Sequence, residues 1–388
     1  MIRWKYLNKY NTAEELSLII SGNDFYEQLE DAINKASSTI NLQFYLFDYD
    51  ATGKRIVDAL IKATERGVKV FVLLDAFGSK AFPDEVVAEM KTYGIKMRFF
   101  SPLLSFKRMS FGRRMHHKLV EIDSKIAFIG GINIADKYRD TPKGKGWLDF
   151  AVKVKGNVAE DARQICKYIW SRRVKRKHFH FNENKDNTNI YLVKFSENDW
   201  FMNKNNISSG YKNAIKHSKE SITIVGAYFL PGRQFRKILK RAAERSVSTR
   251  IILSRTSDVK LSLYAQRFLY DWLFRNKIKI YEWKDSVVHG KVAIIDNIWT
   301  TIGSFNLNYL SVYGSLELNL NVYNEQFSTD FNKKIDEIIE TGCIEVVKDE
   351  YEKKKNHLNQ FKLWLSYHSL RFMMVLAVLL TTSPKKKR

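Results

Sequence analysis

HHKLVEIDSKIAFIGGIN at 116–133 recurs as HGKVAIIDNIWTTIGSFN at 289–306. Both copies fit His-x-Lys-x4-Asp-x6-Gly-(Gly/Ser)-x-Asn. The bare His-x-Lys-x4-Asp arises by chance at about one start position in ten thousand, so two extended copies mark a duplicated unit. A solenoid is excluded, because its repeats would be much shorter.

Upstream of each copy the chain keeps one rhythm. In the first half an amphipathic helical pattern at 25–36 precedes INLQFYLF at 40–47, whose Ile40, Leu42, Phe44 and Leu46 alternate as a strand requires. A helix at about 56–66, stopped by Gly67, then the apolar strand VKVFVLL at 68–74 and a short strand IKMRFF ending at Phe100 follow. The second half repeats this with SITIVGAYFL at 221–230, a basic helix at 235–245, STRIILS at 248–254 and KIKIYEW at 277–283. Strands alternating with helices predict an α/β fold, a sheet covered by helices on both faces in each half. The polar, basic stretch 171–189 is the expected linker. The expected units are 1–185, 186–348 and a C-terminal segment, 349–388.

The spacing carries chemistry, because residues two apart in a strand share a face. His116 and Lys118 therefore project together, as do His289 and Lys291. A neutral imidazole offers a nucleophile or proton carrier, and a fixed ammonium neutralises phosphate oxygens, so the pair suits attack on a phosphodiester. His117 points the other way and reads as structural. One half-site lacks a separate general acid, whereas two supply nucleophile and acid to one phosphorus. The expected site is pseudo-twofold, at the seam of the halves, with both lysines, Asn133 and Asn306 around the phosphate.

Asp123 and Asp296 stand in the motif and so join the catalytic set by position. Each lies five residues beyond its lysine, an odd offset that turns it away from the catalytic face. DSK and DNI read instead as hairpin bends, where Asp and Asn bond the local backbone. Another carboxylate must then orient each histidine. The candidates are Asp149 in GWLDFAVKV and Glu317 in GSLELNLNV, both starting alternating strands.

These motifs resemble the phospholipase D superfamily, and over about residues 15–345 the chain is most similar to the shorter, B-type bacterial cardiolipin synthases. The similarity includes LLDAFGS at 73–79, RRMHHKLVEIDSKIAFIGGIN at 113–133 and GAYFLPG at 226–232. It implies two duplicated α/β/α sandwich domains with the active site at their interface, and a covalent phosphohistidine formed without a metal or other cofactor. By it His116 is the nucleophile and His289 the acid and base, with Glu317 supporting His116 and Asp149 supporting His289. The implied activity is transfer of a phosphatidyl group between phosphatidylglycerols. The alternative is phospholipase D-type hydrolysis of phospholipid or, more remotely, of nucleic acid.

Composition narrows the setting. The 388 residues carry 65 Lys+Arg against 42 Asp+Glu, a formal charge of +23, which predicts attraction to polyanions. The two cysteines, Cys166 and Cys343, fit neither a zinc site nor a disulfide scaffold, and the short apolar run at 16–20 is too brief for a signal peptide. A C-terminal stretch, 361–380, is apolar but broken by Lys362, Ser366, His368, Ser369 and Arg371. It is marginal for a span and suits a helix lying in the membrane interface, with Lys385 to Arg388 held by anionic lipid, or else one packed on the protein's own core. Charge alone leaves nucleic acid and an anionic membrane both open; with the activity that the resemblance implies, the expected partner is an anionic membrane containing phosphatidylglycerol, approached peripherally or monotopically at the bacterial cytoplasmic face, with no nucleic acid. RRVKRK at 172–177 reads as contact with anionic headgroups or nucleic acid, or as a solvated linker. Tyr138, Trp147, Tyr228, Phe229 and Tyr309 read as pocket wall or plain core.

Overall fold

The computed structural model describes residues 10–101, 113–142, 144–171, 191–353 and 355–381. Almost all of the expected linker, RRVKRK, and Lys385 to Arg388 lie outside the described residues.

In the first half the strands are β1 (Glu15–Ile20), β2 (Thr39–Phe44), β3 (Lys69–Asp75), β4 (Lys96–Phe100), β5 (Lys118–Ile122), β6 (Ile126–Gly130) and β7 (Phe150–Lys155). They pair in the order β1-β7-β6-β5-β2-β3-β4, with β2, β3 and β4 parallel and the other contacts antiparallel. The second half supplies β8 (Tyr191–Asp199), β9 (Ser221–Gly226), β10 (Ser248–Ser254), β11 (Lys279–Trp283), β12 (Lys291–Ile295), β13 (Trp299–Gly303) and β14 (Ser315–Tyr323). Their order is β8-β14-β13-β12-β9-β10-β11, again with the last three parallel. The duplication inferred from two short motifs therefore extends to the whole sheet.

Helices cover the sheets because their apolar residues fall on one side. α1 (Gly22–Lys35) buries Phe25, Leu29 and Ile33, and α2 (Ala51–Glu65) buries Ile56, Leu60 and Ala63, all in one core with the strands. α2 ends where expected, Gly67 taking the left-handed φ of 86° that only glycine adopts without cost. α3 (Ala159–Ser171) packs on the opposite face. α4 (Asn206–His217) and α5 (Arg233–Glu244) repeat the first arrangement in the second half. α6 (Lys260–Arg267), α7 (Tyr309–Tyr313), α8 (Glu325–Gly342) and α9 (His357–Thr381) complete the described helices used below.

The halves share a single apolar core that includes Ile129, Phe150 and Val152 from one sheet and Val292, Ile302 and Leu318 from the other. Two short segments also cross the seam. Asn11–Ala13 pairs with β8, and Arg114–Met115 lies parallel to β14, so parts of the first half complete the second half's sheet.

One local reading differs from expectation, and two are given their form. The strand expected over 221–230 ends at Gly226, since Tyr228 turns the chain with a φ of 48°. The apolar run 16–20 is the edge strand β1. α9 is 25 residues long, yet among the described residues no helix is long and apolar enough to cross a membrane.

Candidate active site

Each histidine is positioned by the other half's strand. The His116 N–H donates to the carbonyl of Leu316 at 2.9 Å, and the His289 N–H donates to the carbonyl of Leu148 at 2.8 Å. Leu316 and Leu148 immediately precede Glu317 and Asp149. The same backbone pairing that crosses the seam therefore sets each imidazole beside a carboxylate of the opposite half. His116 Nδ1 lies 2.9 Å from Glu317 Oε2, and His289 Nδ1 lies 2.6 Å from Asp149 Oδ2.

An ionised carboxylate only accepts, so each contact fixes the proton on Nδ1 and leaves Nε2 with its lone pair. His116 Nδ1 also approaches the carbonyl of Ser304 at 3.0 Å, which favours the same tautomer. The two carboxylates have no measurable exposure. Burial raises the Asp149 carboxyl, but Lys291 and His289 more than offset this and hold it below its ordinary value.

The glycine of the motif acquires a reason here. A Cβ on Gly131 would collide with the Asp149 carboxylate. At the matching position of the second copy stands Ser304, whose hydroxyl donates to Glu317 Oε2. The Gly-(Gly/Ser) step is the place where the chain passes against the supporting carboxylate, a role the sequence reading did not assign to it.

Both imidazoles are held neutral. Burial is the larger cause; Glu317 and Lys118 then act on His116 in opposite directions, and Lys291 adds to the effect on His289, which is pushed down to about 3. Burial likewise draws Lys118 well below the usual lysine range and Lys291 down to about 8. Neither lysine forms part of the cleft wall. Lys118 donates to the carbonyl of His116 at 2.9 Å, and Lys291 donates to that of His289. Lys291 Nζ also lies 3.0 Å from His289 Nδ1, so each ammonium group rests beside the histidine of its own motif.

The cleft has a volume of about 360 Å³, and both histidines, Asn133, Asn306 and Glu317 are in its wall. Asn133 is engaged there, donating to the Tyr138 hydroxyl at 2.6 Å and accepting from the Leu46 N–H at 3.3 Å. Asn306 Oδ1 is buried without a hydrogen-bond partner among the described residues. Of the aromatic candidates, Tyr138, Trp147 and Tyr228 line the cleft, Phe229 is core, and Tyr309 belongs to a neighbouring cavity. His117 is fully buried against Gln43, as expected of a structural histidine.

Asp123 and Asp296 are removed from the catalytic set to which motif position had assigned them. Each opens a two-residue hairpin turn with φ near +54°, followed by a second left-handed residue, as a type I′ turn requires. Asp123 accepts the backbone N–H groups of Ser37, Ser38 and Thr39 at 2.7–2.8 Å, and Asp296 accepts those of Lys219, Glu220 and Ser221 at 2.8–2.9 Å. Both tie a hairpin to the start of a parallel strand, at the end of the sheet remote from the histidines.

Asp75 was missed, although LLDAFGS had been noted. Its Oδ2 accepts the Met115 N–H at 2.8 Å, steadying the crossing segment just before His116, and its Oδ1 lies 3.7 Å from Arg114 of the cleft wall. The available signal was a carboxylate ending an otherwise apolar strand.

A family model described as cardiolipin synthase, PLD-like domain, matches residues 29–144 and again 211–339. Cardiolipin synthase B of Salmonella typhimurium is 32% identical over 370 residues, covering 93% of this chain and 89% of that protein. A cardiolipin synthase of Clostridium perfringens is 27% identical over 355 residues, covering 89% of this chain and 74% of that one. The crystal structure of phosphatidylserine synthase from Haemophilus influenzae superposes with a TM-score of 0.74 over 97% of both chains; at 15% identity the likeness concerns the fold.

Proposed function

The chain belongs to the cardiolipin synthase family with PLD-like domains, and is thus a phosphatidyltransferase of the phospholipase D superfamily; on that footing we propose that it joins two phosphatidylglycerols into cardiolipin and glycerol through a phosphohistidine. The observation that carries the reading is the reciprocal pair of histidine-carboxylate contacts across the seam.

His116 Nε2 attacks the phosphorus of the first lipid as the bond to its head-group glycerol breaks. His289, in its protonated form, gives the Nε2 proton to the departing glycerol oxygen. The neutral His289 then accepts a proton from a hydroxyl of the second phosphatidylglycerol, whose oxygen displaces His116 from phosphorus. Entry of an anionic phosphodiester opposes the field of the lysines and so favours the imidazolium this sequence needs. Glu317 and Asp149 hold the rings and stabilise their positive charge, as the buried acid does in a catalytic triad.

Transfer requires that lipid alcohol reach the phosphorus ahead of water. Leu46, Val259, Leu310, Leu370 and Met374 give the cleft apolar wall on which acyl chains gain and water does not. Leu370 and Met374 come from α9. Its Leu363, Tyr367 and Val378 are buried, whereas Phe361, Leu365, Phe372, Leu376 and Leu379 form a second apolar stripe that is exposed, Phe372 to 67% and Leu379 to 63%. The two readings of this segment are therefore both supported, one for each side of the helix. The exposed side suits a bilayer interface at the mouth of the cleft. The unpaired Cys166 and Cys343 suit a reducing, cytoplasmic face.

The test is the product profile from phosphatidylglycerol vesicles. Cardiolipin and glycerol in equal amounts are expected; phosphatidic acid as the main product would make the protein a hydrolase instead.

A further inference from the structure

Beside the catalytic cleft lies a second cavity of about 260 Å³, enclosed by α4, the start of α5, α7 and α9. Its floor is apolar, formed by Leu230, Phe235, Leu307, Val312 and Met374, and its rim carries Lys212, Arg233, Arg236 and Arg371. Asn308 and Met374 belong to the walls of both cavities, so a single layer of side chains separates them.

The charge on this rim is uncompensated. Arg233, Arg236 and Arg371 have no acidic partner among the described residues, and Lys212 donates to the neutral Gln234 side chain at 3.2 Å. A solvated basic face is the ordinary condition of a chain with a charge of +23. Here, however, cations from three helices surround an apolar hollow that shares wall residues with the catalytic cleft, a combination that fits a ligand with an anionic head and an apolar continuation.

Joining two phosphatidylglycerols creates that demand. In the product one glycerol bridges two phosphodiesters, so the acceptor's own negative phosphate must rest one glycerol away from the phosphorus being transferred. We propose that the second cavity is the acceptor subsite, with Arg233, Arg236 and Arg371 holding the phosphodiester of an anionic glycerophospholipid. Its head-group hydroxyl reaches past Asn308 to the phosphohistidine. The volume is below the roughly 300–1,000 Å³ of pockets that enclose drug-sized ligands. It accepts the glycerophosphate and the first acyl carbons, while the chains run on toward the exposed side of α9.

The assignment rests on the phosphatidyl-transfer reading, and the experiment separates the two. In detergent micelles, cardiolipin formation is measured beside exchange of labelled free glycerol into phosphatidylglycerol, which uses the same donor and a neutral acceptor. In the Arg233→Gln/Arg236→Gln/Arg371→Gln variant, cardiolipin formation should fall about tenfold through a raised KM for the acceptor lipid, with glycerol exchange within twofold of the parent. Arg236→Lys and Arg371→Lys, which keep the charge, should retain most of the activity. If the triple variant does not fold, the three single Gln variants are scored by the same ratio. An unchanged ratio of cardiolipin to exchange would overturn the subsite, as would a loss confined to vesicle binding. Failure of the unsubstituted enzyme to make cardiolipin would instead remove the transfer reading, and the subsite with it.

Discussion

Asp149 lies 2.6 Å from Nδ1 of His289, a residue 140 positions away in the other half of the chain. Glu317 and His116 repeat the contact in the opposite sense. Neither half owns a complete histidine-carboxylate pair, so in the proposed mechanism the seam is a chemical requirement as well as a packing surface.

Asp149→Asn and Glu317→Gln preserve shape but remove the charge and can present an N–H to Nδ1, which selects the wrong tautomer. By analogy with buried acids in catalytic triads, kcat should fall about 10³- to 10⁴-fold with little change in KM. Steady-state kinetics on phosphatidylglycerol micelles checks this.

Asp123→Ala and Asp296→Ala should act on stability alone. Each carboxylate accepts three backbone N–H groups at the edge of a parallel strand, and hydrogen bonds to charged groups contribute about 1.5–3 kcal/mol each, less where water can replace them. A loss of about 2 kcal/mol is expected by denaturant titration, with kcat per folded molecule unchanged.

The ammonium of Lys291, drawn down to about 8 by burial, is present below that pH and lost above it. In the proposed mechanism that charge stabilises phosphate oxygens, so kcat/KM should decline as pH rises through about 8. Lys291→Arg keeps the charge at every accessible pH. Whatever activity it retains should lack this alkaline limb, which a pH-rate profile will reveal.

Replacing Phe372, Leu376 and Leu379 with Ser removes part of the exposed stripe of α9 and leaves the buried one. Sedimentation with anionic vesicles should drop severalfold while micellar activity persists. Deleting 361–388 is a poorer test, since it would also take Leu370 and Met374 from the cleft wall.

The parts of this fold legible in the sequence are those fixed by local pattern. Two-residue periodicity located β2, a short apolar run located β3, the repeat of that rhythm located β9 and β10, and strand parity turned Asp123 and Asp296 away from the histidines' face. Asp149 and Glu317 were legible as candidates because they stand at the start of alternating strands, whereas their pairing with the histidines of the opposite half came from the resemblance. What escaped depends on pairing between distant segments. Nothing local in Arg114–Met115 or Asn11–Ala13 says that they join the second half's sheet. Likewise, face periodicity places a lysine's Cβ but leaves the four rotatable bonds beyond it free. Lys118 and Lys291 accordingly share the histidine's face and still turn to its backbone. The second cavity arises from four helices separated in sequence, one of them the five-residue α7, too short to leave a periodic signal.

The central claim is a covalent histidine intermediate in a site built by both halves. A phosphodiester with a p-nitrophenol leaving group tests it most directly, because that alcohol departs without protonation and relieves the need for the general acid. His289→Ala should release a burst of one nitrophenol per chain and stall with phosphorus bound to His116, while His116→Ala should give no burst. Absence of a burst from both variants, or sustained turnover by His116→Ala, would contradict the account.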